Sequence, residues 1–137
     1  ITRTFESKKQ KGAEVDLSTV FANSVKKAVR TVILDQKDHL EVIDRLETRD
    51  KEATVSWIMV TPAEAKITGK NRIELTKDGQ RMLLTADTGT EVEMKIWSNL
   101  PPHEYDFRNP GTIRVGFETV IPANRASQLK VRLIPLK

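Results

Sequence analysis

The stretch RIELTKDGQRMLLT at residues 72–85 decides the fold class, because it contains the clearest hairpin in the chain. Two short strand segments, 72–75 and 81–85, flank the sequence KDGQ at 77–80. Asp78-Gly79 is the turn pair that accepts positive φ angles at low steric cost. The sequence therefore predicts two antiparallel strands joined by a tight turn.

A second hairpin is predicted upstream, at residues 27–46. The first strand, 27–34, alternates two sets of side chains, with Ala28, Arg30, Val32 and Leu34 on one face. DQKD at 35–38 is typical of a turn. Residues 39–46 then alternate again, which is the pattern expected of the returning partner strand.

Period-two alternation continues along the chain, and no long stretch has a helical period. Further strands are predicted at 13–17, 53–60, 65–68, 91–97, 113–121 and 129–134. Between them, Asp16 and Ser18 are cap-type residues that favour one short helical turn. In the strand 53–60, Trp57 is expected to belong to the core. In the strand 91–97, Val92, Met94 and Ile96 are expected to point inward. Trp97 has the opposite orientation and is expected to be at least partly accessible. The fold predicted is all-β, an antiparallel two-sheet β-sandwich of about eight to ten short strands.

The length of 137 residues predicts one domain. Residues 1–12 contain the polar run KKQKG and are interpreted as a linker or domain boundary, which leaves 13–137 as the β-sandwich domain. The chain opens on isoleucine without a signal-peptide pattern, so we expect a mature product or a piece of a longer chain. No apolar run approaches the length of about 18 residues that a membrane helix needs, so no membrane partner is expected.

Several kinds of site are excluded by the residue types present. The chain has no cysteine, which excludes a thiolate metal site and a catalytic thiol. His39 and His103 stand far apart and outside any metal-ligand spacing, and no nucleotide-binding or nucleophile motif occurs, so no catalytic residue, metal ligand or cofactor is predicted. Aromatic residues are too few for a nucleic-acid stacking surface. The net charge of +4 favours polyanions such as acidic polysaccharides.

One stretch interrupts the strand pattern: WSNLPPHEYDFRNPGTIRVGFE at 97–118. It holds the one cluster of aromatic and polar side chains suited to glycan or interdomain contact, made of Trp97, His103, Tyr105 and Arg108. The alternative interpretation is structural. Tyr105 and Phe107 would then cover one end of the sandwich, and Asn109-Pro110-Gly111 would form a tight turn. Both interpretations stay open at this level.

The ordered set of segments from residue 13 onward resembles the C-terminal β-sandwich region of heparinase II/III-like polysaccharide lyases. The segments that carry the resemblance are VDLSTVF at 15–21, AVRTVIL at 28–34, LEVIDRLE at 40–47 with Asp44, VSWIMVTPAEAKI at 55–67 and YDFRNPGTIRVGFE at 105–118. In such proteins a catalytic α/α toroid is followed by β-sheet domains. No single motif among these segments has the specificity of a metal-ligand signature; the resemblance rests on their order.

The resemblance implies a non-catalytic module whose main partner is the α/α toroid of the same parent chain. An acidic polysaccharide, such as a glycosaminoglycan, is a second candidate partner, and the implied location is periplasmic or secreted. The catalytic residues and the histidine-rich metal segment of such lyases have no match here, so none is transferred to this chain. Two alternatives remain: an independent carbohydrate-binding module, and a purely structural or adhesion-type sandwich.

Overall fold

The computed structural model describes residues 1–100, 103 and 108–137. Over these residues the chain forms strands and turns only, and no helix has the length and apolar composition needed to cross a membrane. The eleven strands are β1 (Arg3–Glu6), β2 (Gln10–Asp16), β3 (Val25–Asp35), β4 (Leu40–Thr48), β5 (Ala53–Thr61), β6 (Glu64–Gly69), β7 (Arg72–Lys77), β8 (Gln80–Thr88), β9 (Val92–Ser98), β10 (Ile113–Ile121) and β11 (Ala126–Leu136).

The strands form two antiparallel sheets of unequal size. The larger sheet has eight strands in the order β1-β2-β3-β4-β11-β8-β7-β6, and the smaller has three in the order β5-β10-β9. The prediction of an all-β, antiparallel two-sheet sandwich is confirmed. The strand count exceeds the expected value of about eight to ten, in part because residues 1–12 contribute strands of their own.

Residues 1–12, interpreted from sequence as a linker or boundary, contain β1 and the beginning of β2 in this structure. The two strands pair with each other, Thr4 opposite Ala13 and Phe5 opposite Gly12. Phe5 lies over Gly12, where a Cβ atom would meet its ring at 2.5 Å. The alternation was hard to recognise because this hairpin has only one large apolar side chain, Phe5. The position of a domain boundary here stays a prediction.

Both predicted hairpins are confirmed. In the first, Lys77 pairs with Gln80 across the turn, and Asp78 and Gly79 have φ angles of 51° and 75°. In the second, β3 and β4 pair antiparallel around residues 36–39. The Asp35 carboxylate accepts hydrogen bonds from the amides of Lys37 and His39, at 2.7 and 3.0 Å. These bonds, that from His39 foremost, lower the pKa of Asp35.

The short helical turn expected after Asp16 corresponds to consecutive hydrogen-bonded turns at residues 18–24, which do not continue into a helix. The amide of Phe21 donates to the carbonyl of Leu17 at 3.2 Å, as in one turn of a helix. The amide of Ser18 donates to the Asp16 carboxylate at 2.8 Å, so Asp16 does act as a cap-type acceptor. The amide of Val25 donates to the carbonyl of Phe21, which returns the chain to β3. This turn segment, 17–24, therefore lies beside the start of β3.

The core lies between the two sheets. Trp57 of β5 is 5% exposed, and its ring is stacked on that of Phe117 of β10 with centroids 6.1 Å apart. Their partners across the sandwich come from β4, β7, β8 and β11 of the larger sheet. Met94 of β9 joins the core from the smaller sheet, next to Phe117. The prediction that Trp57 is core and Trp97 partly accessible is confirmed. Ile96 was expected to point inward, yet it is 40% exposed, since it lies near the end of a strand at the edge of the smaller sheet.

The smaller sheet covers only part of the larger one. The main buried cluster draws no residue from β1, β2 or β3. On β2 and β3, the side chains of Ala13, Val32 and Leu34 share the inner face with core residues of β4, as the strand register requires. All three are only partly buried. The inner face of β1–β3 therefore extends past the edge of the smaller sheet.

Candidate functional site

Hydrogen bonds join the two ends of the connection between β9 and β10. Ser98 pairs with Ile113 where the two strands end. The side-chain amide of Asn99 donates to the Thr112 hydroxyl at 2.6 Å, and that hydroxyl donates to the carbonyl of Asn109 at 2.7 Å. Gly111 has a φ angle of 74°, as the predicted tight turn requires. The described ends of the connection therefore have defined positions.

The residues singled out from the sequence as a possible contact surface lie in different environments. Trp97 lies on β9, half-buried, on the outer face of the smaller sheet. His103 and Arg108 are both exposed in the connection that follows. Tyr105 lies outside the described residues, as do Pro101, Pro102 and Phe107, so the proposed covering of the sandwich end stays a prediction. Of the three that the structure describes, only Trp97 belongs to a regular strand.

Sequence reasoning missed Arg114, which lies directly opposite Trp97 in the β9–β10 register. Its guanidinium donates from Nε and Nη2 to the carbonyl of Ser98, at 3.1 and 3.0 Å. Within the described part of the chain it has no carboxylate partner in an ion pair. The sequence does show that Arg114 lies on the opposite face of its strand from Ile113 and Val115, because side chains alternate. Only the pairing of β9 with β10 shows that Arg114 is next to Trp97.

Two exposed aliphatic side chains continue this surface on β5. Val60 is opposite Arg114, and Ile58 is opposite Gly116 in the next row; they are 49% and 41% exposed. We call Trp97, Arg114, Ile58 and Val60 the outer patch. It combines an indole, a guanidinium and apolar surface on one flat face.

Charged side chains border the outer patch at the next rows. The ammonium of Lys95 donates to the carboxylate of Glu118 at 2.9 Å, and this hydrogen bond raises the pKa of Lys95. Lys95 is thus charged over the physiological range but already paired. Arg114 is therefore the cation of this face that is best placed to meet an anionic group of a ligand.

The outer patch has the chemistry of binding rather than of bond cleavage. No group of three or more His, Cys, Asp or Glu suited to a metal ion occurs among the described residues. His39 lies in the β3–β4 turn, with its Nδ1 3.3 Å from the Asp35 carboxylate, and so belongs to a different region. An indole face with a neighbouring guanidinium can contact a sugar ring and its acidic substituent.

A second polar constellation lies between the sheets, beside Trp57. Arg30 forms two hydrogen bonds with Asp44, from Nε at 2.7 Å and from Nη2 at 2.8 Å. Asp44 is 8% exposed, and the Arg30 guanidinium lies 6.0 Å from the centroid of the Trp57 ring. The bond to Asp44 raises the pKa of Arg30. The two opposite charges neutralise each other, which explains how an aspartate is accommodated next to the core.

Comparison with known proteins gives matches among solved structures but none among family models or curated sequences. No family model matches the chain, and no curated protein sequence matches it. A crystal structure of heparinase III superimposes with a TM-score of 0.70 at 13% identity, over 98% of this chain. A mutant of the heparan sulfate lyase HepC from Pedobacter heparinus superimposes with a TM-score of 0.68 at 15% identity, also over 98% of this chain.

The likeness covers only a small part of those larger proteins. The chain spans 20% of the heparinase III structure and 21% of the HepC structure. At identities of 13% and 15% the match establishes a shared fold for nearly the whole chain. The fold is that of a region of such enzymes.

Proposed function

We propose that this chain is a non-catalytic C-terminal β-sandwich module of a heparinase II/III-like polysaccharide lyase. The observation that carries the proposal is the superposition of 98% of the chain on one fifth of a heparinase III structure. The ordered sequence segments that resemble the same family support it independently. The module would brace the catalytic α/α toroid of its parent chain or the cleft for an acidic glycan, in a periplasmic or secreted protein.

The chemistry of such a lyase explains why the module would be non-catalytic. In β-elimination a base removes the proton α to a uronic carboxylate whose charge is neutralised, and the 4-linked oxygen leaves. These tasks need a base and a charge-neutralising group held close together. The outer patch offers one arginine and no base. The Arg30–Asp44 pair is already joined by two hydrogen bonds. The described residues therefore supply position rather than proton transfer.

We expect the purified 137-residue chain to show no lyase activity on heparin, heparan sulfate or alginate. The measurement is the ultraviolet absorbance of the unsaturated uronic product, with an intact heparan sulfate lyase as positive control. Sustained product formation by the chain alone would contradict the non-catalytic assignment. Sequencing the coding region upstream of residue 1 is a separate test, in which a helical toroid domain is expected.

The outer patch favours a second candidate, an independent carbohydrate-binding module. If this candidate is right, heparin oligosaccharides quench or shift the fluorescence of Trp97, and affinity falls with added salt because Arg114 contributes electrostatically. Trp97→Ala and Arg114→Ala should each weaken binding by about tenfold, the factor given by about 1.4 kcal/mol. Arg72→Ala, which removes an exposed arginine from the larger sheet, is the matched control. Equal affinities for all three variants would exclude the patch as the glycan site.

A further inference from the structure

One edge of the smaller sheet is open. β5 is its terminal strand and, among the residues that the structure describes, pairs only with β10. The opposite side of a terminal strand presents a row of backbone N–H and C=O groups that a further strand can pair with. Neighbouring strands lie about 4.8 Å apart, so a strand added here would lie over the inner face of the larger sheet.

A cavity of about 220 Å³ runs along this edge. Residues 53–57 of β5 all line it, one after the other. Because successive side chains of a strand point to opposite faces, consecutive lining residues mean that the backbone edge borders the cavity. The opposite walls come from the larger sheet and from the turn segment, through Ala28, Arg30, Asp44, Leu46, Leu17 and Phe21.

The indole nitrogen of Trp57 is a buried donor with no hydrogen-bond partner among the residues that the structure describes. Gly116 of β10 lies against the other side of the ring, where an added Cβ would be 3.3 Å from Cε3. Since Cε3 and Nε1 are on opposite sides of the indole, Nε1 is directed away from β10. The cavity is lined by Trp57 but by no residue of β10, so it lies on the side of the ring away from Gly116. Nε1 itself has less than 1 Å² of accessible surface. An indole N–H can only donate, so the missing partner is an acceptor oxygen.

We propose that the open edge of β5 accepts an extended polypeptide segment, which becomes a fourth strand of the smaller sheet. Its backbone pairs with residues 53–57. One of its oxygen atoms accepts the hydrogen bond from Trp57 Nε1 after the side chains that cover this nitrogen move aside. Its apolar side chains, at alternate positions, pack on the apolar walls of the cavity at Leu17 and Leu46.

A polypeptide fits the edge better than a glycan does. The exposed row of alternating donors and acceptors is complementary to another backbone. The charge of Arg30 is neutralised by Asp44, which leaves little attraction for an acidic sugar. The walls of the cavity beside β5 are apolar at Leu17, Ala28 and Leu46. The structures that resemble this chain are about five times its length, so such proteins contain ample further polypeptide.

The test is to select strand-forming peptides against the folded 137-residue chain. A displayed library of random dodecapeptides is panned, and the selected peptides are synthesised. We expect apolar residues at alternate positions. On binding, amide hydrogen exchange should slow at residues 53–57, and the indole N–H resonance of Trp57 should shift while that of Trp97 stays unchanged. The proposal is overturned if no peptide is selected, or if exchange slows instead at β1, β6 or β9.

Two variants test whether the peptide binds at the edge of β5. Thr54→Lys places a long charged side chain on the open edge strand, beside the backbone groups that border the cavity, and edge lysines oppose strand addition. It should weaken peptide binding by about tenfold or more. Thr68→Lys is the matched control, since Thr68 is an exposed threonine on β6, the terminal strand of the larger sheet. Equal loss in both variants would overturn the proposal. So would a shift of the Trp57 indole resonance by a heparin hexasaccharide, because the cavity would then be a glycan site.

Discussion

Gly116→Ala is expected to destabilise the chain by about 3 kcal/mol or more, or to prevent folding. A Cβ atom at position 116 would lie 1.8 Å from the carbonyl oxygen of Trp57, within the β5–β10 pairing. That oxygen belongs to the backbone, so the clash is relieved only by separating the two strands. The measurement is urea-induced unfolding followed by circular dichroism, together with the yield of soluble protein.

Gly89→Ala is the matched control for this experiment. No atom lies within 4 Å of a Cβ placed at position 89. We expect its free energy of unfolding to stay within about 0.5 kcal/mol of the original chain, as is usual for surface changes. If Gly116→Ala were equally mild, the close approach of β10 to Trp57 would be wrong.

Trp57→Ala is expected to lower the free energy of unfolding by about 3–5 kcal/mol. The change removes the indole that packs against both Phe117 and Arg30. The centroid of the Phe117 ring is 6.1 Å from that of the Trp57 ring, and the Arg30 guanidinium carbon is 6.0 Å from the Trp57 centroid. Thermal unfolding should shift downward by roughly 10 °C or more. Trp97→Ala, which removes a half-buried indole from the outer face, is the control and should cost clearly less.

Acrylamide quenching of the two single-tryptophan variants gives an independent check. The fluorescence of Trp57, in the Trp97→Phe background, should be strongly protected. The fluorescence of Trp97, in the Trp57→Phe background, should be quenched readily because its side chain reaches solvent. The opposite order of accessibility would mean that the register of β5 is shifted by one residue, which exchanges its two faces.

The sequence predicted strands well wherever one face is buried. Val55, Trp57 and Met59 alternate with polar or exposed neighbours. The pair Asp78-Gly79 is a typical turn sequence, and both residues have the positive φ angles that the turn needs. The same rule failed for β1, because a hairpin with one large apolar residue, Phe5, has too little pattern to recognise. It also failed for Ile96, since alternation gives the face of a side chain but not whether the facing sheet reaches that far.

The candidate site was harder to predict than the fold. Trp97 was identified as accessible, but its neighbours Arg114, Ile58 and Val60 come from two other strands. Which strands become neighbours depends on pairings between distant parts of the chain, and alternation contains no information on the partner. The open edge of β5 and the unpartnered Nε1 of Trp57 follow from the same long-range arrangement, so neither was visible in the sequence.

The position of β11 has a consequence for how the chain folds during synthesis. β11 follows all other strands in sequence, yet it lies in the middle of the larger sheet, between β4 and β8. Its contact from Arg132 to Glu41 spans 91 residues. At about 5–20 residues per second, the ribosome exposes β4 and β8 as unpaired edges for seconds before β11 emerges. The larger sheet can close only afterwards, so the nascent chain passes through an aggregation-prone interval in which a chaperone would protect it.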